Sequence, residues 1–83
     1  MMAWVYMLEC CDGSLYTGWT VDPVKRLQSH QAGRGSKYTR ARLPVRMVGL
    51  LECASNREAR QLEPQLKKLS RQAKLAWVAM HPI

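Results

Sequence analysis

WVYMLECCDGSLYTGWT, residues 4–20, is the stretch that decides the fold. Two runs rich in aromatic and branched residues, 4–10 and 14–20, read as strands, and Cys11, Asp12 and Gly13 between them read as a turn. Gly13 supplies the left-handed conformation that a three-residue hairpin connection needs. A loop of this length sets Cys10 opposite Ser14 and Leu8 opposite Tyr16, so Tyr6 and Tyr16 share one face as diagonal neighbours. A two- or four-residue loop would shift the parity and send the tyrosines to opposite faces.

Helix punctuation follows at once. In VDPVKRLQSHQAG, residues 21–33, Asp22 is an N-cap, Pro23 suits the first helical position and Gly33 stands just past the end, which predicts a helix over 23–32. Arg26 and His30, four apart, lie one above the other, and Val24 with Leu27 offers an apolar edge to bury. Residues 33–44, GRGSKYTRARLP, are glycine-rich and basic and read as an exposed loop. PVRMVGLLEC, residues 44–53, reads as a third strand, largely buried. Ser55 and Glu58 form a capping box for a second helix whose Ala59, Leu62, Leu66 and Leu69 make one apolar stripe. On that wheel Glu63 falls about 40° past Ala59, at the border of the stripe. A carboxylate beside the core needs a partner, which a metal ion or an arginine would supply. Ser70 opens a short last helix carrying Leu75, Trp77 and Val78.

The 83 residues suffice for one domain, 1–83, with one small core. No apolar run approaches the ~20 residues that cross a bilayer, and no signal-peptide pattern opens the chain, so the expectation is a soluble, cytoplasmic protein without a membrane partner. Cys10, Cys11 and Cys53 are odd in number and lack the C-x-x-C spacing of a zinc site, and they read as reduced thiols. Charge is more telling. Thirteen Lys and Arg against six Asp and Glu give a net +7, and no acidic residue falls between Asp22 and Glu52, where Lys25, Arg26, Arg34, Lys37, Arg40, Arg42 and Arg46 all lie. That asymmetry points to a polyanion, nucleic acid above all; a membrane surface would require a strongly apolar face beside the basic run.

The order strand, strand, helix, strand, helix, helix, with these residues in it, resembles the GIY-YIG nuclease superfamily, especially its small single-domain bacterial members. The first motif falls on WVY, residues 4–6, the second on YTG, residues 16–18, the catalytic arginine on Arg26 and the metal-binding glutamate on Glu63. The resemblance spans nearly the whole chain. It implies an α/β fold of the GIY-YIG type, a three-stranded antiparallel sheet flanked by two or three helices. It also implies a metal-dependent endonuclease that hydrolyses DNA phosphodiesters, in a repair or recombination setting, with no small-molecule cofactor.

Each implied role has a chemical reason. Glu63 would hold one Mg2+, or Mn2+, that keeps several waters. Arg26 would grip the phosphate as a permanently charged fork. Tyr6 or Tyr16 would take the proton of the attacking water, and His30 would orient that tyrosine or the water, or act as the base. Gly18 would let backbone approach the phosphate. Lys25, Arg34, Lys37, Arg40 and Arg42 would hold the flanking backbone, in DNA or in RNA, without reading its sequence. A homodimer or a protein partner would extend so small a platform.

Taken singly, these residues have ordinary readings: the tyrosines as strand packing, Arg26 as a surface charge, His30 as a solvated helix residue, Glu63 as an ion pair with Lys67 at i+4. Trp4 and Trp77 read as core, while Trp19 is open to core or to base stacking. A binding module that keeps the scaffold without turnover is the rival function. Three positions depart from the family pattern: Trp4 replaces the first motif's glycine, Thr17 replaces an isoleucine, and Pro64 directly follows the implied metal ligand. Proline removes a helical hydrogen bond, so the helix either kinks there or breaks and restarts at Pro64.

Overall fold

The computed structural model describes residues 2–83. Its elements are β1 (Ala3–Glu9), β2 (Leu15–Thr20), α1 (Pro23–Gln31), α2 (Lys37–Arg40), β3 (Arg46–Cys53), α3 (Asn56–Lys67) and α4 (Arg71–Met80). The strands form one antiparallel sheet in the order β2-β1-β3, so β1 is central and both other strands are edges.

The hairpin loop is of the expected length. Gly13 has φ +83°, Cys10 N–H donates to the Ser14 carbonyl at 2.9 Å, and Leu8 pairs with Tyr16 while Tyr6 pairs with Gly18. Because β1 is central, both of its faces are buried, which explains its continuous apolar run. Ala3, Val5 and Met7 join Cys53, Ala59 and Leu66 in one cluster, with Trp19, Leu62, Trp77 and Val78 packed against it. On the opposite face Tyr6, Leu8 and Cys10 join Val45, beside Tyr16, Leu27, Leu43, Met47 and Leu50. Trp19 therefore packs, half-buried, against the first cluster, and Trp4 is likewise only half-buried.

Caps hold the helices where the sequence puts them. The Asp22 carboxylate accepts from Lys25 N–H, and Ser55 and Ser70 accept from the amides of Glu58 and Ala73. Four expectations need correction. The 33–44 segment is not simply an exposed loop: Ser36 caps the four-residue α2, and Thr39 within it is fully buried. Val24 is 69% exposed, because α1 turns Leu27 and His30 inward instead. Leu69 and Leu75 are also exposed, since α3 ends at Lys67 and α4 turns Trp77 and Val78, partly buried, toward the core. Finally, β3 is an edge strand with a register shift opposite Met7 and Leu8, and several of its side chains are only half-buried.

Pro64 does not break the helix. Residues Asn56–Lys67 run as one α-helix with Pro64 inside it on the exposed side, so the amide it lacks lies on the solvent side. Thr17 is 2% exposed and its hydroxyl oxygen has no hydrogen-bond partner, a cost that an isoleucine would not carry.

Candidate active site

The site is built on the pairing of Tyr6 with Gly18. A Cβ at residue 18 would stand 2.5 Å from Tyr6 Oη and 2.6 Å from Cζ, so the absent side chain is the slot that receives the phenol. Space at Gly18 that the sequence offered to a phosphate is thus filled by the protein itself. From that slot the Tyr6 hydroxyl meets His30 Nε2 at 2.8 Å, and His30 Nδ1 meets Thr39 Oγ1 at 2.8 Å. Thr39 Oγ1 lies 3.0 Å from Ser36 Oγ and 3.4 Å from the Ser36 carbonyl. Gly35 makes room for the imidazole, since a Cβ there would overlap the His30 ring.

One proton arrangement that satisfies this chain has the phenol donating to Nε2, Nδ1–H to Thr39 and Thr39 to the Ser36 carbonyl, an assignment made from the network. Burial supports it. Desolvation, with Tyr16 adding, pushes the Tyr6 phenol far above its ordinary value; Arg26 counters this and Glu63 reinforces it. Burial, and then the charge of Arg26, holds His30 below its usual 6.5, so the imidazole is neutral at pH 7. His30 is completely buried.

Tyr16 borders the same cluster and is half-exposed. Its ring lies 6.5 Å from that of Tyr6 and 5.2 Å from that of His30. Tyr38 stacks on Tyr16 with a centroid separation of 6.0 Å, and the Arg42 guanidinium lies over the Tyr38 ring at 3.8 Å. Arg42 is further held by Asp12 Oδ2 at 3.1 Å and by the Tyr38 carbonyl at 3.0 Å. It braces the hairpin turn and the aromatic stack, an employment the sequence does not reveal.

From α3, Glu63 and Lys67 approach this cluster. The Glu63 side chain is 19% exposed, and its carboxylate pairs with Lys67 Nζ at 3.4 Å, the i+4 pair anticipated from spacing. Lys67 Nζ also lies 6.0 Å from the Tyr16 ring centroid. Among the described residues no three His, Cys, Asp or Glu side chains gather to hold a metal. A lone, partly buried carboxylate fits a magnesium-type ion that keeps most of its waters and takes oxygens from a phosphate. The residues present fit such an ion, provided that Lys67 yields the carboxylate.

Arg26 projects from α1, exposed, on the side of Tyr6. With Lys25, Ser29 and Thr20 it lines a pocket of about 230 Å³. Arg34, Lys37 and Arg40 are exposed along and around α2. The residues missed by the sequence reading are Gly35, Ser36, Thr39 and Tyr38. Ser36 three before Thr39 is an N-cap signal that could have placed α2; nothing in the sequence announces the contact of Thr39 with His30.

Two tyrosines, an arginine, a histidine and a glutamate are brought together on the three-stranded antiparallel sheet of a small α/β domain. The chain belongs to the GIY-YIG family, a nuclease superfamily: residues 2–76 match the GIY-YIG catalytic domain. It is 55% identical over 76 residues to a UPF0213 protein of Streptococcus sanguinis, covering 92% of this chain and 87% of that one. A UPF0213 protein of Syntrophus aciditrophicus is 48% identical over 80 residues, covering 95% and 92%. Among solved structures, the UPF0213 protein BH0048 of Bacillus halodurans superposes with a TM-score of 0.61 at 45% identity, over 96% of this chain and 85% of that one. EF2693 of E. faecalis does so with a TM-score of 0.65 at 36% identity, with the same coverage.

Proposed function

We propose that this chain is a single-domain, divalent-metal-dependent endonuclease that hydrolyses phosphodiester bonds of DNA. The observation that carries the reading is the donor chain from Tyr6 through His30 to Thr39, buried beneath exposed Arg26 and beside Glu63. Burial obliges both imidazole nitrogens to be bonded; what goes beyond packing is that this chain lies beside Arg26 and Glu63, the charges that act on Tyr6.

Tyr16 is the group that meets the attacking water, because it is half-exposed whereas Tyr6 is 1% exposed and resists ionisation. Tyr16, acting as the phenolate, takes the water's proton and becomes the neutral phenol while the hydroxide formed attacks the phosphate; the Lys67 ammonium near its ring faces the charge Tyr16 carries before the transfer. Tyr6, whose own proton is committed to His30, offers its oxygen toward Arg26 and fixes the guanidinium, which pairs with the phosphoryl oxygens. Glu63 would hold Mg2+ or Mn2+, which supplies charge neutralisation at the phosphate when bound. Lys25, Arg34, Lys37 and Arg40 hold the flanking backbone, and Arg42 contributes charge from its braced position. A cytoplasmic location and a repair or recombination role accord with this chemistry. No helix among the described residues is long and apolar enough to cross a membrane.

The test is cleavage of end-labelled linear, nicked, flap and four-way DNA, and of one single-stranded RNA, in Mg2+, Mn2+ or EDTA, with wild type beside Glu63→Gln. The expected result is metal-dependent cutting that Glu63→Gln abolishes while binding persists. Binding without cutting in every lane would replace the enzyme by the binding module, a reading favoured by one observation, the Lys67 ammonium already seated on the Glu63 carboxylate.

A further inference from the structure

Beyond Glu63 the chain carries no acidic residue to its end, while Lys67, Lys68, Arg71 and Lys74 fall in that stretch. It is a second acid-free basic run, separate in sequence from the one between Asp22 and Glu52. The fold brings part of it to the same aromatic stack. The start of α4 lies over the β1–β2 turn, where an Arg71 guanidinium nitrogen comes within 3.5 Å of the place a Cβ would take on Gly13. There a pocket of about 200 Å³ is lined by Ser14, Leu15, Tyr38, Arg71 and Lys74.

Neither Arg71 nor Lys74 forms an ion pair among the described residues. The carboxylate nearest in sequence to the turn, Asp12, is fully engaged: one oxygen accepts from the Ser14 amide and hydroxyl, the other from Arg42. Tyr38, stacked on Tyr16 and covered by the Arg42 guanidinium, also lines the pocket. The cavity therefore has two uncompensated cations and a phenol for walls, and it adjoins Tyr16 through one stacked ring.

We infer that this pocket is a second phosphate subsite, in which Arg71 and Lys74 hold a backbone phosphate of the DNA strand a short distance from the bond being cut. The inference rests on the nuclease reading of the neighbouring site and adds to it a path for the strand, from Lys25 and Arg26 on α1, past Tyr16, to the first turns of α4. A fork and a point charge suit a non-bridging phosphate oxygen pair, and the contact reads no sequence. Arg42, tied to Asp12 and Tyr38, keeps the turn and the ring in place without entering the pocket as a free charge.

The experiment is binding of a fluorescent DNA duplex in EDTA, followed by anisotropy across a range of salt concentrations. Wild type is compared with Arg71→Ala/Lys74→Ala and with the charge-matched pair Arg57→Ala/Lys68→Ala, whose residues are exposed on a different face of α3 and at its end. Loss of one phosphate contact lowers the slope of log K against log salt by about 0.9, and that loss is expected for the α4 pair and not for the control pair. In parallel, a deoxydinucleotide titrated into labelled protein should shift the NMR signals of Ser14, Leu15, Tyr38 and the Arg71 side chain. Equal slopes for the two double variants, with those signals unmoved, would overturn the subsite and leave the nuclease reading standing. Failure of wild type to bind DNA at all would overturn both.

Discussion

The Tyr6 hydroxyl stands 2.8 Å from His30 Nε2, in a buried contact that ties the central strand to the first helix. Replacing Tyr6 by Phe leaves the imidazole nitrogen without its partner, and the loss of a buried hydrogen bond of this kind costs about 1–3 kcal/mol. Tyr16→Phe removes a half-exposed hydroxyl and should leave stability nearly unchanged while lowering kcat by about 10²–10⁴, the usual worth of a general base. Urea denaturation beside single-turnover cleavage separates the two. A Tyr16→Phe enzyme of normal rate would exclude Tyr16 as the proton acceptor.

Gly18 is held to glycine by a ring. Gly18→Ala drives its methyl into Tyr6 Oη and Cζ, and overpacking of this kind costs about 1–3 kcal/mol. In a Tyr6→Ala background the same change should cost little, since the occupant of the slot is gone. Additive costs in the double variant would show that the slot is not the reason for glycine.

Thr17 carries the opposite liability. Its buried hydroxyl has no partner, so Thr17→Val should stabilise the fold by about 1 kcal/mol. A lower melting temperature for Thr17→Val would mean that the hydroxyl is satisfied in solution.

Stability should fall on the acid side through His30. Its folded pKa lies below the unfolded value near 6.5, so between the two the unfolded chain binds a proton that the native one refuses. The native state is therefore favoured least as pH drops from about 6.5 toward the depressed folded value, with no contribution from this group above about 6.5. Tyr6 acts at the other end: its raised pKa removes stability only as pH climbs past 10.0, where the unfolded phenol ionises. Denaturation midpoints from pH 7 to 5 should decline, and His30→Gln, itself less stable, should decline less steeply; parallel slopes would contradict the assignment.

Under the nuclease reading, Lys67 and a metal ion would compete for Glu63. Lys67→Met frees the carboxylate of a pair of the partly exposed kind, worth about 0.2–1 kcal/mol, so affinity for Mg2+ or Mn2+ should rise by up to about fivefold. Mn2+ titration monitored by electron paramagnetic resonance reads this without reference to turnover. Weaker binding in Lys67→Met would show instead that the lysine positions Glu63 for the metal.

What the sequence by itself determined was local. The turn residues Cys11, Asp12 and Gly13 set the hairpin register, and register alone put Tyr6 and Tyr16 on one face, because side chains alternate with a period of two. Asp22, Ser55 and Ser70 set the helix starts through single hydrogen bonds close in the chain, and Pro23 through its fixed φ. Spacing likewise foresaw Glu63 at the border of the core and its pair with Lys67. Tertiary structure decided what depends on contacts between distant segments: that Thr39 reaches His30 across nine residues, that Arg42 spans thirty to Asp12, and that Pro64 sits within an unbroken helix. It also decided that the vacancy at Gly18 belongs to Tyr6, because room beside a glycine is claimed by whichever side chain the neighbouring strand delivers, and only the assembled sheet delivers it.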